Sequence, residues 1–318
     1  MPARLLVRQP DGSVEERPVE DLSELRDRCA WLDISDPKER DVQLIAEELQ
    51  LHPLAIEDTV HRHQRPKIDE YEDHYFIVAY ALEESEPDVV RDIEISIFLA
   101  RNVVVTVHEG ELRARAAVEK RFREGKLATP GLLLHALLDT IVDGYFEVVD
   151  GFGERVELLE SLILDETPRG YRTSLSELFE LKRDLLRIRQ RIAPEREVLN
   201  VLVRGDIREL REAGRRAYFQ DVYDHIVRVT DEIDTFRELT SNVIDAHLAA
   251  ASNRLNEILK ALTSVATILL VVTLVTSFFG MNFGAIPFAS PELFWAAIAF
   301  MLGSTGLLAL YFRRRGWL

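Results

Sequence analysis

The sequence predicts an α+β membrane protein with an N-terminal α/β domain, a long helical stalk and two C-terminal transmembrane helices. Three observations lead to this fold class. Short runs rich in β-branched and aromatic residues lie within residues 1–130. A stretch of 65 residues between Gly214 and Gly280 contains neither glycine nor proline. Two long uncharged apolar runs follow near the C-terminal end.

Residues 1–130 are predicted to form the α/β domain. Helical spacing of apolar residues covers positions 42–49. Arg101 and Asn102 are predicted to form the turn between the last two strands. The strand-like runs share a high content of Val, Ile, Phe and Tyr and comprise Ala3–Arg8, residues 75–81, residues 93–99 and Val103–His108.

Residues 131–213 are predicted to form a helical pair and a connection. The pattern becomes helical after Pro130, with one helix over residues 132–166 and a second over residues 174–192. Pro168-Arg169-Gly170 separates the two helices, and Pro194 ends the second.

Residues 214–260 are predicted to form a cytoplasmic stalk helix that continues into the first membrane span. An unbroken helix of 65 residues is about 100 Å long at about 1.5 Å per residue. Its apolar residues, such as Val222, Ile226 and Val229, recur at steps of three and four. This spacing favours packing against copies of the same chain, and a bundle within one chain stays open as the alternative.

The two apolar runs, residues 261–279 and 293–312, each have the length that crosses a hydrocarbon core of about 30 Å. A buried core helix is the alternative for either run. Two runs in tandem with basic flanks, Lys260 before the first and residues 313–315 after the second, favour the membrane.

The basic flanks also predict the orientation of the chain in the membrane. They place both termini in the cytoplasm, residues 280–292 in an external loop, and residues 313–318 in a basic cytoplasmic tail. The N-terminal segment does not have the pattern of a secretory signal. We therefore expect a multi-pass protein of the inner (plasma) membrane that contacts membrane lipid.

Charge and motif content narrow the function classes. The net charge is −16, and Glu292 is the only acidic residue after Lys260, so the cytoplasmic part is acidic and is expected to repel nucleic acid. Cys29 is the only cysteine, which excludes a disulfide framework within the chain. We find no phosphate-binding glycine-rich loop and no nucleophile and base set, so we expect neither a nucleotide partner nor an enzyme.

One face of the first span carries amides and hydroxyls between apolar residues. Neither span contains Asp, Glu, Lys, Arg or His, which argues against a proton-coupled pump. Such a face suits the waters of a hydrated ion, and Mg²⁺ keeps its waters tightly. Leu259, Leu262 and Leu270 can close a pore by excluding water, or can simply pack helix on helix. The predicted pore stripe comprises Asn256, Leu259, Thr263, Ala266, Leu270, Thr273, Ser277 and Gly280.

The tripeptide Gly280-Met281-Asn282 stands at the end of the first span, before the external loop, the second span and the tail. This arrangement resembles the CorA family of divalent-cation channels, whose members have two spans and this tripeptide motif. Further segments resemble family motifs in the expected order: Glu57-Asp58, His63-Gln64-Arg65-Pro66-Lys67, Asp139 and Asp143 before Tyr145-Phe146, and Asp221-Val222-Tyr223-Asp224-His225.

The resemblance implies a funnel-shaped homopentamer whose long helices line the pore. Gly280, Met281 and Asn282 would form the selective entrance, with Asn282 holding the hydrated ion and Asn256 forming a polar ring at the inner end. The expected function is passive import of Mg²⁺, with Co²⁺ or Ni²⁺ as further cargo.

The resemblance also implies regulatory Mg²⁺ bound between subunits, which closes the channel by feedback. The matching carboxylates are Asp58 and Asp221, with Glu57, Asp139 and Asp143 as secondary candidates. Carboxylate oxygens and waters are the usual ligands of Mg²⁺. For each acid, a solvated surface charge or a salt bridge is the alternative, favoured for Asp139 and Asp143 taken alone.

Two departures from the family pattern bear on the transported ion. Gly284 stands where many magnesium-type members have an acid, and Val271 replaces the usual proline in the middle of the span. The loop also resembles that of the zinc-transporting branch. A Zn²⁺ transporter is therefore one alternative function. A non-conducting membrane Mg²⁺ sensor is another, because it predicts the same carboxylates as the channel and differs from it only in the lack of ion flux.

Overall fold

The computed structural model describes residues 3–25, 28–86, 89–164, 170–205, 207, 215–281 and 290–317. The chain divides into two compact units, Met1–Asn242 and Val243–Leu318. The predicted α/β region, the long helix and the two apolar C-terminal helices are all present.

A seven-stranded sheet organises the first unit. Its order is β2-β1-β3-β7-β6-β5-β4, and β3 and β7 are parallel neighbours whereas the other neighbouring pairs are antiparallel. The strands are β1 (Ala3–Arg8), β2 (Val14–Arg17), β3 (Ala30–Ser35), β4 (Lys67–Glu70), β5 (His74–Glu86), β6 (Val89–Ala100) and β7 (Val103–His108).

Helices cover both faces of this sheet. A 3-10 segment, α1 and α2 pack on one face, where Leu22, Ile45 and Ala55 join the core. On the other face Phe122 of α3 meets Trp31 of β3, and α4 contacts β5. The helical elements are the 3-10 segment (Val19–Leu25), α1 (Glu39–Leu49), α2 (Pro53–His61), α3 (Arg113–Arg123), α4 (Pro130–Leu164), α5 (Gly170–Ile192), α6 (Glu195–Arg204), α7 (Arg215–Phe279) and α8 (Pro291–Arg314).

The strand β3 lies inside the sheet, between β1 and β7, and was not predicted from the sequence. Its apolar run is interrupted by Asp33, which is 4 % exposed. Thr106 Oγ1 donates a hydrogen bond to Asp33 Oδ1 at 2.6 Å, and His108 Nε2 lies 3.3 Å from the same oxygen. Burial alone would raise the pKa of Asp33, but His108 and Thr106 outweigh it and lower the pKa. The carboxylate of Asp33 can therefore occupy a core position, because it has polar partners there.

A second buried carboxyl group joins three elements. Glu195, the first residue of α6, is 3 % exposed. Its Oε1 accepts a hydrogen bond from the backbone N–H of Tyr80 in β5 at 2.7 Å, and its Oε2 lies 2.9 Å from the hydroxyl of Tyr145 in α4. That hydroxyl also donates to the carbonyl of Tyr80. Burial raises the pKa of Glu195 to about 8.

The contact between α4 and α7 depends on Gly153. A Cβ atom on this residue would lie 2.8 Å from Cζ of Phe236, which is closer than carbon atoms pack. We therefore expect Gly153→Ala to destabilise the protein by about 1 kcal/mol, because overpacking costs about 1–3 kcal/mol and the higher helix propensity of alanine offsets part of that cost. Thermal unfolding followed by circular dichroism measures the change.

The matched control for this prediction is Gly151→Ala, because no atom lies within 4 Å of the added Cβ at that position. Phe236→Leu should restore part of the loss when it is combined with Gly153→Ala, since the ring is then absent. Equal unfolding midpoints for Gly153→Ala and Gly151→Ala would contradict the role of this contact.

The second unit contains the last part of α7 and all of α8. Both helices are long and apolar enough to cross a membrane, and only 6 % and 0 % of their most apolar windows of 18 residues are buried. A core helix of a soluble domain would be largely covered. The exposure therefore disfavours the alternative that these runs are core helices.

Candidate functional site

The predicted pore stripe follows one face of α7. Within a single chain every one of its residues is exposed, including Leu259 (48 %), Leu262 beside it (63 %) and Leu270 (68 %). Leu270, Thr273, Ser277 and Met281 line a common cleft. The sequence therefore folds into a long apolar surface with a few polar groups, which requires a covering partner or lipid.

The hydroxyl of Thr273 donates its hydrogen bond within its own helix. Its Oγ1 donates to the backbone carbonyl of Leu269 at 2.8 Å. A hydroxyl has one proton and two lone pairs, so this oxygen remains available only as an acceptor. The waters of a hydrated cation point their protons outward, and a lining of acceptors complements them.

The C-terminal end of α7 closes in a tight turn at Gly280. The N–H of Gly280 donates to the carbonyl of Thr276 at 2.9 Å, and the N–H of Met281 donates to that of Phe278 at 3.3 Å. A Cβ on Gly280 would lie 3.3 Å from the Thr276 oxygen. Asn282, the predicted ion-holding residue, and Gly284 lie outside the described residues.

The predicted regulatory acid Asp58 is paired within its own chain. It lies on α2, and its Oδ2 accepts from Lys67 Nζ at 2.7 Å, while the same ammonium group lies 2.6 Å from Asp69. Burial alone would lower the pKa of Lys67, but these two carboxylates outweigh it and raise the pKa. Glu57, the neighbouring secondary candidate, is exposed.

The other predicted acids lie together between α4 and α7. Asp143 Oδ1 is 3.3 Å from His225 Nδ1, and Asp139 Oδ2 is 3.6 Å from Arg121. Partial burial, followed by the charges of Asp139 and Asp221, raises the pKa of Asp143 against the effect of His225. Asp221 is exposed, one helical turn before His225.

The structure therefore places Asp139 and Asp221 close enough for their charges to act on Asp143. Asp58 is not part of this group and pairs with Lys67 instead. Within the described part of a single chain, no group of three or more histidine, cysteine, aspartate or glutamate residues is arranged to hold a metal ion.

Two neighbours of these acids were not singled out from the sequence. Lys67 stands in the quoted motif, yet its pairing with Asp58 depends on the fold.

His135 lies one turn before Asp139 on α4, is 8 % exposed, and packs against Tyr218 and Phe219. Burial lowers the pKa of His135, which favours the neutral ring. The four-residue spacing from His135 to Asp139 to Asp143 places the three residues on one face of a helix, and this spacing could have identified His135 from the sequence.

Comparison with known proteins covers nearly the whole chain. The cobalt/magnesium transport protein CorA of Thermotoga maritima is 32 % identical over 314 residues, which cover 94 % of this chain and 87 % of that protein. The zinc transport protein ZntB of Pectobacterium carotovorum is a more distant relative, 22 % identical over 230 residues that cover 71 % of this chain and 68 % of that protein.

Solved structures share the fold. The complete structure of the CorA magnesium transporter from Methanocaldococcus jannaschii matches with a TM-score of 0.86 and 24 % identity, covering 99 % of this chain and 98 % of that chain. The family model described as CorA-like Mg2+ transporter protein matches residues 26–314. The chain therefore belongs to the CorA-like family of Mg²⁺ transporter proteins.

Proposed function

We propose that this protein is a passive channel that imports hydrated Mg²⁺, with Co²⁺ or Ni²⁺ as further cargo, and that cytoplasmic Mg²⁺ closes it. The observation that carries the proposal is the exposed, uncharged face of α7, which ends at Gly280-Met281. Passage without desolvation needs such a face, because Mg²⁺ dehydrates reluctantly. The names of the relatives in cobalt and magnesium transport point the same way.

The proposed assembly is a homopentamer in which the α7 helices surround the pore. A single chain leaves a row of leucines on α7 exposed, and packing against other copies would cover them. Asn256, Leu259, Leu262, Leu270 and Thr273 are proposed to line the pore. The leucine rings would stop flow by excluding water when they approach each other.

The proposed entrance consists of Gly280, Met281 and Asn282. The tight turn at Gly280 would bring five copies of the following residues around one axis, where amide oxygens accept hydrogen bonds from the waters of the ion. Thr273, whose proton is already donated to Leu269, would offer a second ring of acceptors. Selection then depends on the size and hydrogen bonding of the hydrated ion.

Regulation is proposed to use Asp58 of one copy and Asp221 of the next, with Glu57, Asp139 and Asp143 nearby. A bridging Mg²⁺ neutralises facing carboxylates, and its loss leaves them to repel each other and biases the assembly towards opening. Asp221 lies on α7 itself, the helix that continues without interruption to Gly280. Binding near Asp221 therefore acts on the same helix that lines the pore.

Lys67 is expected to compete with regulatory Mg²⁺ because its ammonium group already bridges Asp58 and Asp69. Lys67→Met keeps an apolar side chain and removes the charge. The Mg²⁺ concentration that gives half-maximal thermal protection should then fall about fivefold, which corresponds to the loss of a partly exposed ion pair of about 1 kcal/mol. Thermal unfolding of the purified chain over a Mg²⁺ titration measures it.

Lys120→Met is the control for this prediction, since Lys120 is an exposed lysine of the same unit away from α2. An unchanged or higher half-maximal concentration in Lys67→Met would show that Asp58 is not a Mg²⁺ ligand, or that Lys67 does not compete with the ion.

The function itself is tested by uptake into liposomes that contain the purified chain and a Mg²⁺ indicator, with Zn²⁺ measured in parallel. The proposal expects Mg²⁺ entry that depends on the protein and increases with an inside-negative potential. Zn²⁺ entry alone would assign the chain to zinc transport, as in its distant relative. Absence of flux of both ions, together with Mg²⁺-dependent thermal protection, would favour the non-conducting sensor.

A further inference from the structure

The end of α8 has a defined turn that the proposed transport function does not use. Gly316 has a φ of 69°, in the left-handed region. The N–H of Trp317 donates to the carbonyl of Phe312 at 2.9 Å, and the N–H of Gly316 donates to that of Arg313 at 3.2 Å. These two hydrogen bonds form a Schellman motif with glycine at its usual position.

The turn fixes two aromatic contacts. Trp317 stacks on Phe312 with the ring centroids 5.5 Å apart and the planes at 16°. Phe312 is 6 % exposed, so the indole forms part of a packed helix end. The guanidinium of Arg315 lies 5.7 Å from the centroid of the Tyr311 ring. Trp and Tyr rings at a helix end are typical of the boundary between lipid and water.

Three exposed arginines immediately precede this turn. Among the described residues of their own unit, Arg313, Arg314 and Arg315 have no carboxylate within 4.0 Å. Successive helical residues are rotated by about 100°, so the three side chains spread over about 200° of the helix surface. A single pocket on a partner would meet only some of them, whereas a headgroup layer that surrounds the helix meets all three.

Guanidinium groups suit the phosphates of that layer because they donate two parallel hydrogen bonds to phosphate oxygens. Basic residues next to a span also attract anionic lipid, by about fivefold in binding for each residue near the surface. We propose that the end of α8, Tyr311 to Trp317, binds the phosphate groups of anionic phospholipids. The proposal depends on the proposed membrane location of α8 and not on the ion that is transported.

Two simpler roles for the arginines make different predictions. Positive charge at the last turn stabilises the helix dipole, and positive charge beside a span directs its orientation during insertion. Neither role requires the inserted protein to prefer anionic over zwitterionic lipid. Lipid preference in the assembled membrane is therefore the property to measure.

The experiment uses the full chain with Trp295→Phe, reconstituted into phosphatidylcholine vesicles in which part of the lipid carries brominated chains. Bromines quench tryptophans within the bilayer, so Trp317 reports the lipid next to it, whereas Trp31 is buried in the sheet and gives a constant background. Brominated phosphatidylglycerol should quench more strongly than brominated phosphatidylcholine at equal mole fraction. We expect a relative binding constant of at least fivefold, reduced towards one in 0.5 M salt.

Three variants separate the contributions. Replacing the three arginines with glutamine should bring the relative binding constant to about one, while Arg→Lys at the same positions should keep part of the preference because the charge remains. Gly316→Ala should reduce the preference with every arginine in place, because a left-handed φ disfavours alanine and the Trp317 turn is lost. Uptake by Gly316→Ala gives an independent check that the protein is assembled.

Equal quenching by the two lipids in the parent protein would overturn the proposal. A preference that survives replacement of all three arginines would overturn it as well. If the glutamine variant shows unchanged lipid quenching but dissociates into monomers, the arginines bind another copy of the chain and the lipid assignment is wrong.

Discussion

Replacing Glu195 by alanine is expected to lower the midpoint of thermal unfolding by about 10 °C. The substitution removes the acceptor of the Tyr80 N–H and the partner of the Tyr145 hydroxyl, both at buried positions. Buried groups that lose their partner cost about 1–3 kcal/mol each, and a loss of about 3 kcal/mol corresponds to this shift for a unit of this size. Circular dichroism of the purified full chain measures it.

Glutamine at the same position is expected to preserve the stability that the neutral Glu195 gives at acidic pH, for a reason that follows from counting protons. The hydroxyl of Tyr145 has one proton, and it lies within hydrogen-bonding distance of both the Tyr80 carbonyl and Glu195 Oε2. Both contacts are satisfied only if the carboxyl group of Glu195 is protonated and donates to Tyr145. The amide of glutamine supplies the same donor and acceptor without needing a proton.

The two side chains therefore differ in their pH dependence. The folded-state pKa of Glu195, about 8, exceeds the ordinary value of 4.5. The stabilisation by the neutral carboxyl is fully present below the ordinary pKa and is lost as the pH rises through about 8. Between the ordinary pKa of 4.5 and the folded-state pKa of about 8, the free energy of unfolding of the protein should fall by up to about 1.4 kcal/mol per pH unit relative to that of Glu195→Gln. If the free energies of unfolding of the two proteins change in parallel between pH 5.5 and pH 7.5, Glu195 is already ionised in the folded protein and the prediction is wrong.

Replacing Asn282 by alanine is expected to reduce Mg²⁺ uptake by at least tenfold. The proposed role of this amide is to accept hydrogen bonds from the waters of an entering ion, and a methyl group cannot replace it. If five copies contribute, one substitution removes the whole ring. The change lies outside the packed first unit, so the unfolding midpoint should stay the same.

Asn242→Ala is the matched control, because this asparagine is exposed on α7 far from Gly280. It should leave uptake unchanged. Full Mg²⁺ uptake by Asn282→Ala would refute the entrance assignment and leave the family membership intact. Equal losses in both variants would instead indicate a general sensitivity of α7.

Much of the fold was predictable where the sequence pattern is regular. Residues 3–8 and 103–108 form the predicted strands, residues 101–102 separate β6 from β7, and α7 has the predicted extent. Long periodic or uncharged segments carry enough signal by themselves. The missed elements β2, β4, α2, α3 and α6 are short, and β3 was hidden by Asp33, whose tolerance depends on Thr106, a residue distant in sequence.

The candidate site residues could be chosen from the sequence, but the residues that lie next to them in the fold could not. The tripeptide at Gly280 and the acids at Asp58 and Asp221 were chosen by motif. Motifs did not indicate that Lys67 neutralises Asp58, since this pairing arises from the approach of β4 to α2. Glu195 carries no local signal at all, because its partners Tyr80 and Tyr145 are distant in sequence.

The absence of glycine and proline from α7 also limits how the helix can move. Sharp bends in helices occur at proline, at glycine or serine pairs, or at bulges, and Val271 in the middle of the first apolar run is none of these. A stiff rod moves by tilting or by turning about its axis. Over a length of about 100 Å, each degree of tilt displaces the far end by about 1.7 Å. If the rod pivots near Asp221, a tilt of a few degrees would therefore displace the Gly280 end by several ångströms.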